Sequence, residues 1–203
     1  MIRQSAFFGS IVAAVLVVEA APAGDAPNAI TGTVKITGLA SNADAVVYVQ
    51  EVPGTFPAAK PVTMDQRSMK FIPHVLPVVV GTTVKFLNSD PTQHNVFSPD
   101  NDKYNLGTWP QGQTKDYTFG KCAKAPCVYT QLCRIHPEME AFIVVLQNPY
   151  FGVTDQAGKY EIANVPAGRY VLAAWHFKGK VQSKPLSVET GKPSIVDFVL
   201  TSR

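Results

Sequence analysis

Short runs of alternating apolar and polar residues, each bounded by Gly, Pro, Asn or Asp, recur along the chain from residue 31 to residue 200. Such runs predict β-strands separated by turns. "TGTVKITG" (31–38) alternates, "AVVYVQEV" (45–52) is a more fully buried strand, and "SIVDFVL" (194–200) is the last strand. We find no convincing helix pattern in the mature chain. The pattern therefore predicts an all-β protein built of sandwiches.

The composition indicates a globular protein and argues against nucleic-acid binding. Hydrophobic residues make up 46% of the chain and charged residues 16%, which indicates a globular protein able to bury a core. The net charge of +3 is small, and no basic cluster with interleaved aromatic residues is present in the sequence. We therefore do not expect nucleic acid as a partner.

The N-terminus has the pattern of a secretory signal peptide. A single positive charge at Arg3 precedes an apolar run over residues 6–18, and "VEAAPAG" follows with the small residues of a cleavage site. The run is shorter than the roughly 20 residues that a membrane-spanning helix needs. We predict a signal peptide over residues 1–23, cut after Ala20 or Ala23. The mature protein is then periplasmic or secreted, with no membrane span after cleavage.

The C-terminal part of the chain holds too few strands to bury two sheet faces by itself. The N-terminal strands are also short of partners. The economical solution is that residues 30–53 and 148–203 pair in one sandwich, with a second sandwich, residues 60–147, inserted between them. The alternative is two sequential domains, in which the N-terminal strands belong to the first.

The three cysteines are an odd number, which in an exported protein leaves one thiol unpaired or committed to other chemistry. Cys122 and Cys127 are separated by "AKAP", so they are candidates for a disulfide that closes a small loop. Cys133 is then the remaining thiol. It is also the cysteine that has a histidine, His136, three residues later.

The segment "CRIHPEM" (133–139) combines a thiol, an imidazole and a thioether. A thiolate and neutral imidazoles with a weak axial thioether are the ligands of blue-copper sites. Such a site needs a second histidine, and the chain offers three others: His74, His94 and His176. His94 follows the predicted strand that ends at Asn88, so a loop there can aim its imidazole at the second loop. We expect His74 and His176 to be structural, with His74 hydrogen-bonded locally.

"FIPHVLPVVVGTTVKFLNSDPTQHNVFS" followed by "YTQLCRIHPEM" resembles the cupredoxins, the blue-copper family, in its amicyanin- and plastocyanin-like members. The resemblance covers roughly residues 62–147. It implies a Greek-key β-sandwich with one type 1 copper ion. It also implies three equatorial ligands and a weak axial one: His94, Cys133 and His136, with Met139.

The same resemblance assigns neighbouring residues. Asn95 matches the residue whose side chain ties the two ligand loops together, and such contacts fix ligand geometry. Pro137 has no N–H, so it cannot donate a hydrogen bond to the thiolate. Glu138 is an alternative axial ligand, ranked behind Met139. Simple cupredoxins lack the pair formed by Cys122 and Cys127. If these two cysteines form a disulfide, they stay away from copper, and if they stay reduced, they compete for the metal.

The tail "GVTDQAGKYEIANVPAGRYVLAAWHF" is similar to carboxypeptidase-regulatory-like modules, which are small transthyretin-type β-sandwiches. The opening "ITGTVKITGL" resembles the first strands of the same module. Cupredoxins combined with such a module are often labelled methylamine-utilization-like, a label that does not establish a role in methylamine metabolism.

These observations predict an exported blue-copper electron carrier that is not an enzyme. Its expected partner is a redox protein: a dehydrogenase, a cytochrome or an oxidase. Two alternatives stay open. One is a periplasmic copper-binding or delivery protein, and the other is a structural surface module with a vestigial metal site.

Overall fold

A computed structural model describes residues 28–202, so the predicted signal peptide lies outside the described residues. Within this range the chain forms strands and no helix, and the predicted all-β sandwich class is confirmed. The strands are β1 (Ile30–Ile36), β2 (Val46–Val49), β3 (Val62–Gln66), β4 (Phe71–Ile72), β5 (Val75–Val79), β6 (Thr83–Asn88), β7 (His94–Ser98), β8 (Tyr104–Trp109), β9 (Thr114–Thr118), β10 (Cys127–Leu132), β11 (Glu140–Leu146), β12 (Phe151–Val153), β13 (Lys159–Ile162), β14 (Gly168–His176), β15 (Gly179–Val188), β16 (Ser194–Ile195) and β17 (Phe198–Leu200).

The strands form four sheets. Sheet I has the order β13-β1-β16, with β17 also pairing with β1, and sheet II has the order β12-β2-β14-β15. Sheet III has the order β5-β11-β10-β7-β8, and sheet IV has the order β4-β3-β6-β9. No helix capable of crossing a membrane occurs among residues 28–202.

Three apolar cores join the sheets into one stack in the order I, II, III, IV. One core lies between sheets I and II, a second between II and III, and a third between III and IV. The two middle sheets are therefore buried on both faces. This explains why β2 ("VVYV") is buried at every position. Strand β1 lies in an outer sheet, and its residues from Thr33 to Ile36 alternate between exposed and buried.

Strand β11 shows the double burial most clearly. Six successive residues are buried, and they divide between two cores by the two-residue period of a strand. One set faces sheet IV: Ala141, Ile143 and Val145. The other set faces sheet II: Phe142, Val144 and Leu146. The strand that follows the predicted ligand loop is thus clamped from both sides.

The strands of residues 30–49 pair only with strands of residues 151–200 in the part of the chain that the structure describes. The strands of residues 62–146 pair among themselves. The division into folding domains at 60–147 and at 30–53 with 148–203 stays a prediction, as does the likeness of the second sandwich to carboxypeptidase-regulatory-like modules.

The last predicted strand, 194–200, is interrupted, so the expectation of one continuous strand is wrong. Two short strands, β16 and β17, pair with β1 on either side of Val196 and Asp197. At this break the Asp197 side chain takes the place of a backbone acceptor. Its Oδ1 accepts hydrogen bonds from the Thr33 N–H (2.7 Å) and the Thr33 hydroxyl (2.8 Å). The Val196 carbonyl approaches Gly32 so closely that a Cβ there would lie 1.9 Å from it.

A histidine and a carboxylate connect the two sandwiches. His74 Nδ1 lies 2.8 Å from Asp44 Oδ2, so the expectation of a local partner for His74 is wrong. The His74 ring packs edge-on against Phe142 and Phe177, with ring centroids 5.6 and 4.9 Å apart. Since this hydrogen bond is partly exposed, its contribution to stability is small, and apolar burial dominates the contact between the sandwiches.

Replacing Phe142 by Ala tests this shared core. The ring stacks on Phe177 and contacts Trp175 between sheets II and III. Its loss leaves a cavity, and we expect the free energy of unfolding to fall by about 3–5 kcal/mol in urea titrations. Val171→Ala, at an exposed position of β14, is the matched control and should cost less than about 1 kcal/mol. A similar small loss in both variants would contradict a shared core.

Candidate metal centre

Two neighbouring strands of sheet III place the predicted ligands. Strand β7 begins at His94, and β10 ends at Leu132, directly before Cys133. The two strands are antiparallel, with Leu132 opposite Phe97. The start of one strand and the end of the other therefore lie at the same edge of the sheet, and the loop 133–139 leads from there into β11.

The side chains of His94, Cys133 and His136 converge at this edge. Their ligand atoms all lie within 4.8 Å of one another. His136 Nδ1 lies 3.0 Å from His94 Nδ1 and 3.9 Å from Cys133 Sγ. His94 is fully buried, Cys133 is 3% exposed, and His136 is half-buried. The structure thus brings together three of the four predicted ligands with their donor atoms facing each other.

Asp90 fixes the tautomer of His94. His94 Nε2 lies 2.8 Å from Asp90 Oδ2, and a carboxylate only accepts hydrogen bonds. The proton of a neutral imidazole is then on Nε2, which leaves the Nδ1 lone pair directed toward Cys133 and His136. A carboxylate that accepts the other ring N–H of a ligand imidazole orients the ring and raises its basicity.

Asp90 also holds the turn between β3 and β4. Ser68 and Met69 both have left-handed backbone angles (φ 54° each), which neither residue type favours. Their N–H groups donate to the two oxygens of Asp90, at 2.6 and 2.9 Å. Burial acts to raise the pKa of Asp90, but these hydrogen bonds and the contact with His94 outweigh it and hold the pKa below its ordinary value.

Asn95 connects the two ligand loops. Its backbone N–H points at Cys133 Sγ (3.4 Å), and its side-chain oxygen accepts from the N–H of Arg134 (3.4 Å). Its side-chain nitrogen donates to the Gly107 carbonyl (2.8 Å) and to Asn105 Oδ1 (2.9 Å). A single buried amide therefore ties the loop after β10 to the β7–β8 hairpin.

The other residues of the loop 133–139 differ in burial. Met139 is 1% exposed and belongs to the same core cluster as Cys133, whereas Glu138 is exposed. This burial favours Met139 over Glu138 as the candidate axial residue. The Met139 N–H donates to the His136 carbonyl (3.0 Å), which closes the loop. Pro137 is exposed beside His136.

The remaining predicted residues lie away from this cluster. Cys122 and Cys127 form a disulfide at the start of β10, which leaves Cys133 as the free thiol among the described residues. His176 is buried in the other sandwich, where its Nδ1 accepts the N–H of Lys178 (3.1 Å). Burial lowers the pKa of His176, so it is neutral at pH 7.

The donor set fits a copper ion. A first-row ion lies about 2.0–2.1 Å from a histidine nitrogen and about 2.3 Å from a thiolate. Two donors that share it are therefore no more than about 4.4 Å apart, and both the 3.0 Å and the 3.9 Å separations meet this limit. One buried thiolate with two imidazoles and a nearby thioether is the combination that suits copper rather than a hard cation.

No protein-family model and no curated protein matches the chain. Its structural neighbours are cupredoxins and related copper proteins at low identity. A copper-containing nitrite reductase from Thermus scotoductus SA-01 is 28% identical over 49% of this chain and 25% of that one, with a TM-score of 0.40. A mutant of amicyanin in its Cu(I) form is 25% identical over 42% of this chain and 81% of that one (TM-score 0.38). A purple cupredoxin from Nitrosopumilus maritimus is 23% identical over 41% of this chain and 98% of that one, with a TM-score of 0.37.

These TM-scores are below 0.5, and this chain spans only a quarter of the nitrite reductase. We therefore base the function on the geometry of the site.

Sequence reasoning missed Asp90 and the turn that it holds. The available signal was "NSDP" (88–91), in which Asn88 forms an Asx-type turn by accepting the Asp90 N–H (2.9 Å). Asn88 also donates to the carbonyls of Thr92 and Trp109, at 2.9 and 3.0 Å. A buried asparagine and an aspartate thus organise the loop that presents His94.

Replacing Asp90 by Ala removes the acceptor of three hydrogen-bond donors. We expect the free energy of unfolding to fall by about 1–3 kcal/mol, since the N–H groups of Ser68 and Met69 and the buried His94 ring lose their partner. We also expect Cu(II) affinity, measured by competition with a chelator, to fall about 10–100-fold because His94 is no longer oriented. Asp116→Ala, at an exposed position of β9, is the control. Equal affinities for the Asp90 and Asp116 variants would contradict the role of Asp90.

Proposed function

We propose that this protein is a type 1 copper protein that carries single electrons between redox protein partners. The observation that supports the proposal most strongly is the convergence of one buried thiol and two imidazoles at the edge of a rigid sheet. His94, Cys133 and His136 would hold the copper ion, with the buried Met139 as the fourth candidate ligand. A copper ion bound there supplies one-electron chemistry, alternating between Cu(I) and Cu(II).

The protein's own groups keep the site fixed during electron transfer. Asn95 holds the two loops together, and Asp90 orients His94 from behind. Because the ligand atoms already face each other, the loops need little rearrangement when the charge of the site changes. The N–H of Asn95 directs a hydrogen bond toward the thiolate sulfur, while Pro137 supplies none.

Electrons are expected to leave through His136, the half-buried ligand. Its neighbours Ile135 (47% exposed) and Pro137 (exposed) give that surface an apolar character. A redox partner, such as a dehydrogenase, a cytochrome or an oxidase, docks there in this proposal. In this proposal the chain carries electrons and is not an enzyme in its own right.

The Cys122–Cys127 disulfide supports the proposed periplasmic or secreted location, because disulfides persist in oxidising compartments. Together with the predicted signal peptide, it supports the proposal that the protein acts outside the cytoplasm. A disulfide there also prevents the two thiols from competing with Cys133 for copper.

Titration of the mature protein with Cu(II), followed by visible absorption, tests the proposed function. An intense thiolate-to-copper band should appear and saturate at one equivalent. Cys133→Ser should abolish the band. Glu138→Gln, at an exposed position in the same loop, should retain it. A folded protein with a reduced Cys133 and no such band would rule out the electron-carrier function.

Copper retention by the same samples distinguishes an electron carrier from a copper-delivery protein. An electron carrier should retain copper against a chelator in both oxidation states, whereas a delivery protein should release copper readily from one of them. Loss of the metal from only the reduced or only the oxidised protein would favour copper delivery.

A further inference from the structure

Three tyrosines contact one another in the core between sheets III and IV, away from the sheet edge that carries the metal centre. The Tyr104 and Tyr117 rings are stacked, with centroids 3.9 Å apart and planes at 22°. The Tyr129 ring lies 6.4 Å from that of Tyr104. Phe119 contacts all three rings, at 6.0, 5.0 and 4.9 Å. We call Tyr104, Tyr117 and Tyr129 the tyrosine cluster.

The hydroxyl groups of the cluster have acceptors. The Tyr104 hydroxyl donates to Gln131 Oε1. The Tyr129 hydroxyl lies 3.4 Å from both Asp102 Oδ2 and the Lys121 carbonyl. Burial raises the pKa of Tyr104, and burial with the charge of Asp102 raises the pKa of Tyr117 and raises that of Tyr129 to about 12. All three side chains are therefore neutral phenols at pH 7.

Phe119 fills the same core without a hydroxyl, so the tyrosines add polar groups to a region that an aromatic ring alone can fill. A phenol with a carboxylate acceptor is instead suited to oxidation, because an oxidised phenol is a strong acid and must lose its proton. Asp102 is exposed, and its Oδ2 is the carboxylate acceptor that faces the Tyr129 hydroxyl. Tyr104 and Tyr117 are half-buried, so an oxidant in solution can approach the stacked pair.

Strand β10 connects the cluster to the metal centre. Tyr129, Gln131 and Cys133 alternate as buried residues along β10 and its end, with about 6.6 Å between successive positions. Gln131 is fully buried, its Nε2 donates to the Tyr129 carbonyl (3.0 Å), and its Oε1 accepts from Tyr104. The backbone from Cys133 to Gln131 and this hydrogen bond thus form a continuous path to the rings.

We propose that the tyrosine cluster conducts an electron from the Cys133 centre to a one-electron oxidant, such as an oxygen-derived radical, that reaches the exposed edge of the rings. The inference rests on the proposed copper function. The oxidant takes one electron from a tyrosine, and the phenolic proton passes to Asp102. With a reduced copper ion held by His94, Cys133 and His136, an electron from that centre would refill the ring, and the proton would return to the phenol. The oxidant and the centre each change by one electron, and the tyrosine is regenerated.

The first test needs no copper. Metal-free Cys133→Ser protein is oxidised by a flash-quenched ruthenium complex, and the tyrosyl radical is quantified by electron paramagnetic resonance. We expect the radical yield to fall at least about fivefold when Tyr104, Tyr117 and Tyr129 are replaced by Phe. Tyr170→Phe, in the other sandwich, should leave the yield unchanged. Tyr117→Phe alone is the second variant, should the triple variant fold poorly. An unchanged yield in the folded cluster variants would overturn the proposal.

The second test measures refilling. In Cu(I)-loaded protein, the radical should decay at least about tenfold faster than in metal-free protein. Gln131→Leu removes the hydrogen bond to Tyr104 but leaves the β10 backbone to Tyr129, so it should slow the decay while keeping the copper absorption band. Equal lifetimes with and without copper would overturn the proposal. The absorption titration tests copper binding independently of the radical lifetime. Absence of the copper–thiolate band there would overturn the proposed function and, with it, the refilling step.

Discussion

The metal centre depends on the hydrogen bonds of one buried amide, that of Asn95. Two loops from different parts of the chain must present a thiol and two imidazoles within 4.8 Å, and thermal motion of either loop would separate them. The Asn95 side chain accepts from the loop that carries Cys133 and donates to the hairpin behind His94. Asp90 completes the arrangement by fixing the tautomer and direction of the His94 ring.

The second sandwich contributes to this rigidity from the opposite face of sheet III. Strand β11 follows the ligand loop, and its residues pack alternately against sheet IV and against sheet II. A sheet that is buried on both faces has few alternative positions, since any shift disturbs two cores. The second sandwich is thus a structural support for the ligand loop, beyond any role as a spacer.

Most of the fold was predictable because strand length and alternation are local properties. The strand positions around "TVKFLN" and "AFIVVLQ" needed only residue types and spacing. The grouping of His94 with Cys133 and His136 came from the resemblance of their motifs to the cupredoxins. Asp90 was not predictable in the same way. Its partners, Ser68 and Met69, lie on a turn more than twenty residues away, and their left-handed backbone has no glycine to mark it. The His74–Asp44 pair, which joins the two sandwiches, was hidden for the same reason.

The most direct test of the account is a crystal structure of the copper-loaded protein with anomalous diffraction at the copper edge. The account predicts one peak within bonding distance of His94 Nδ1, Cys133 Sγ and His136 Nδ1. It also predicts that the contacts of Asn95 and Asp90 stay as they are without metal. A peak elsewhere, or a rearranged loop 133–139, would contradict a preformed copper site.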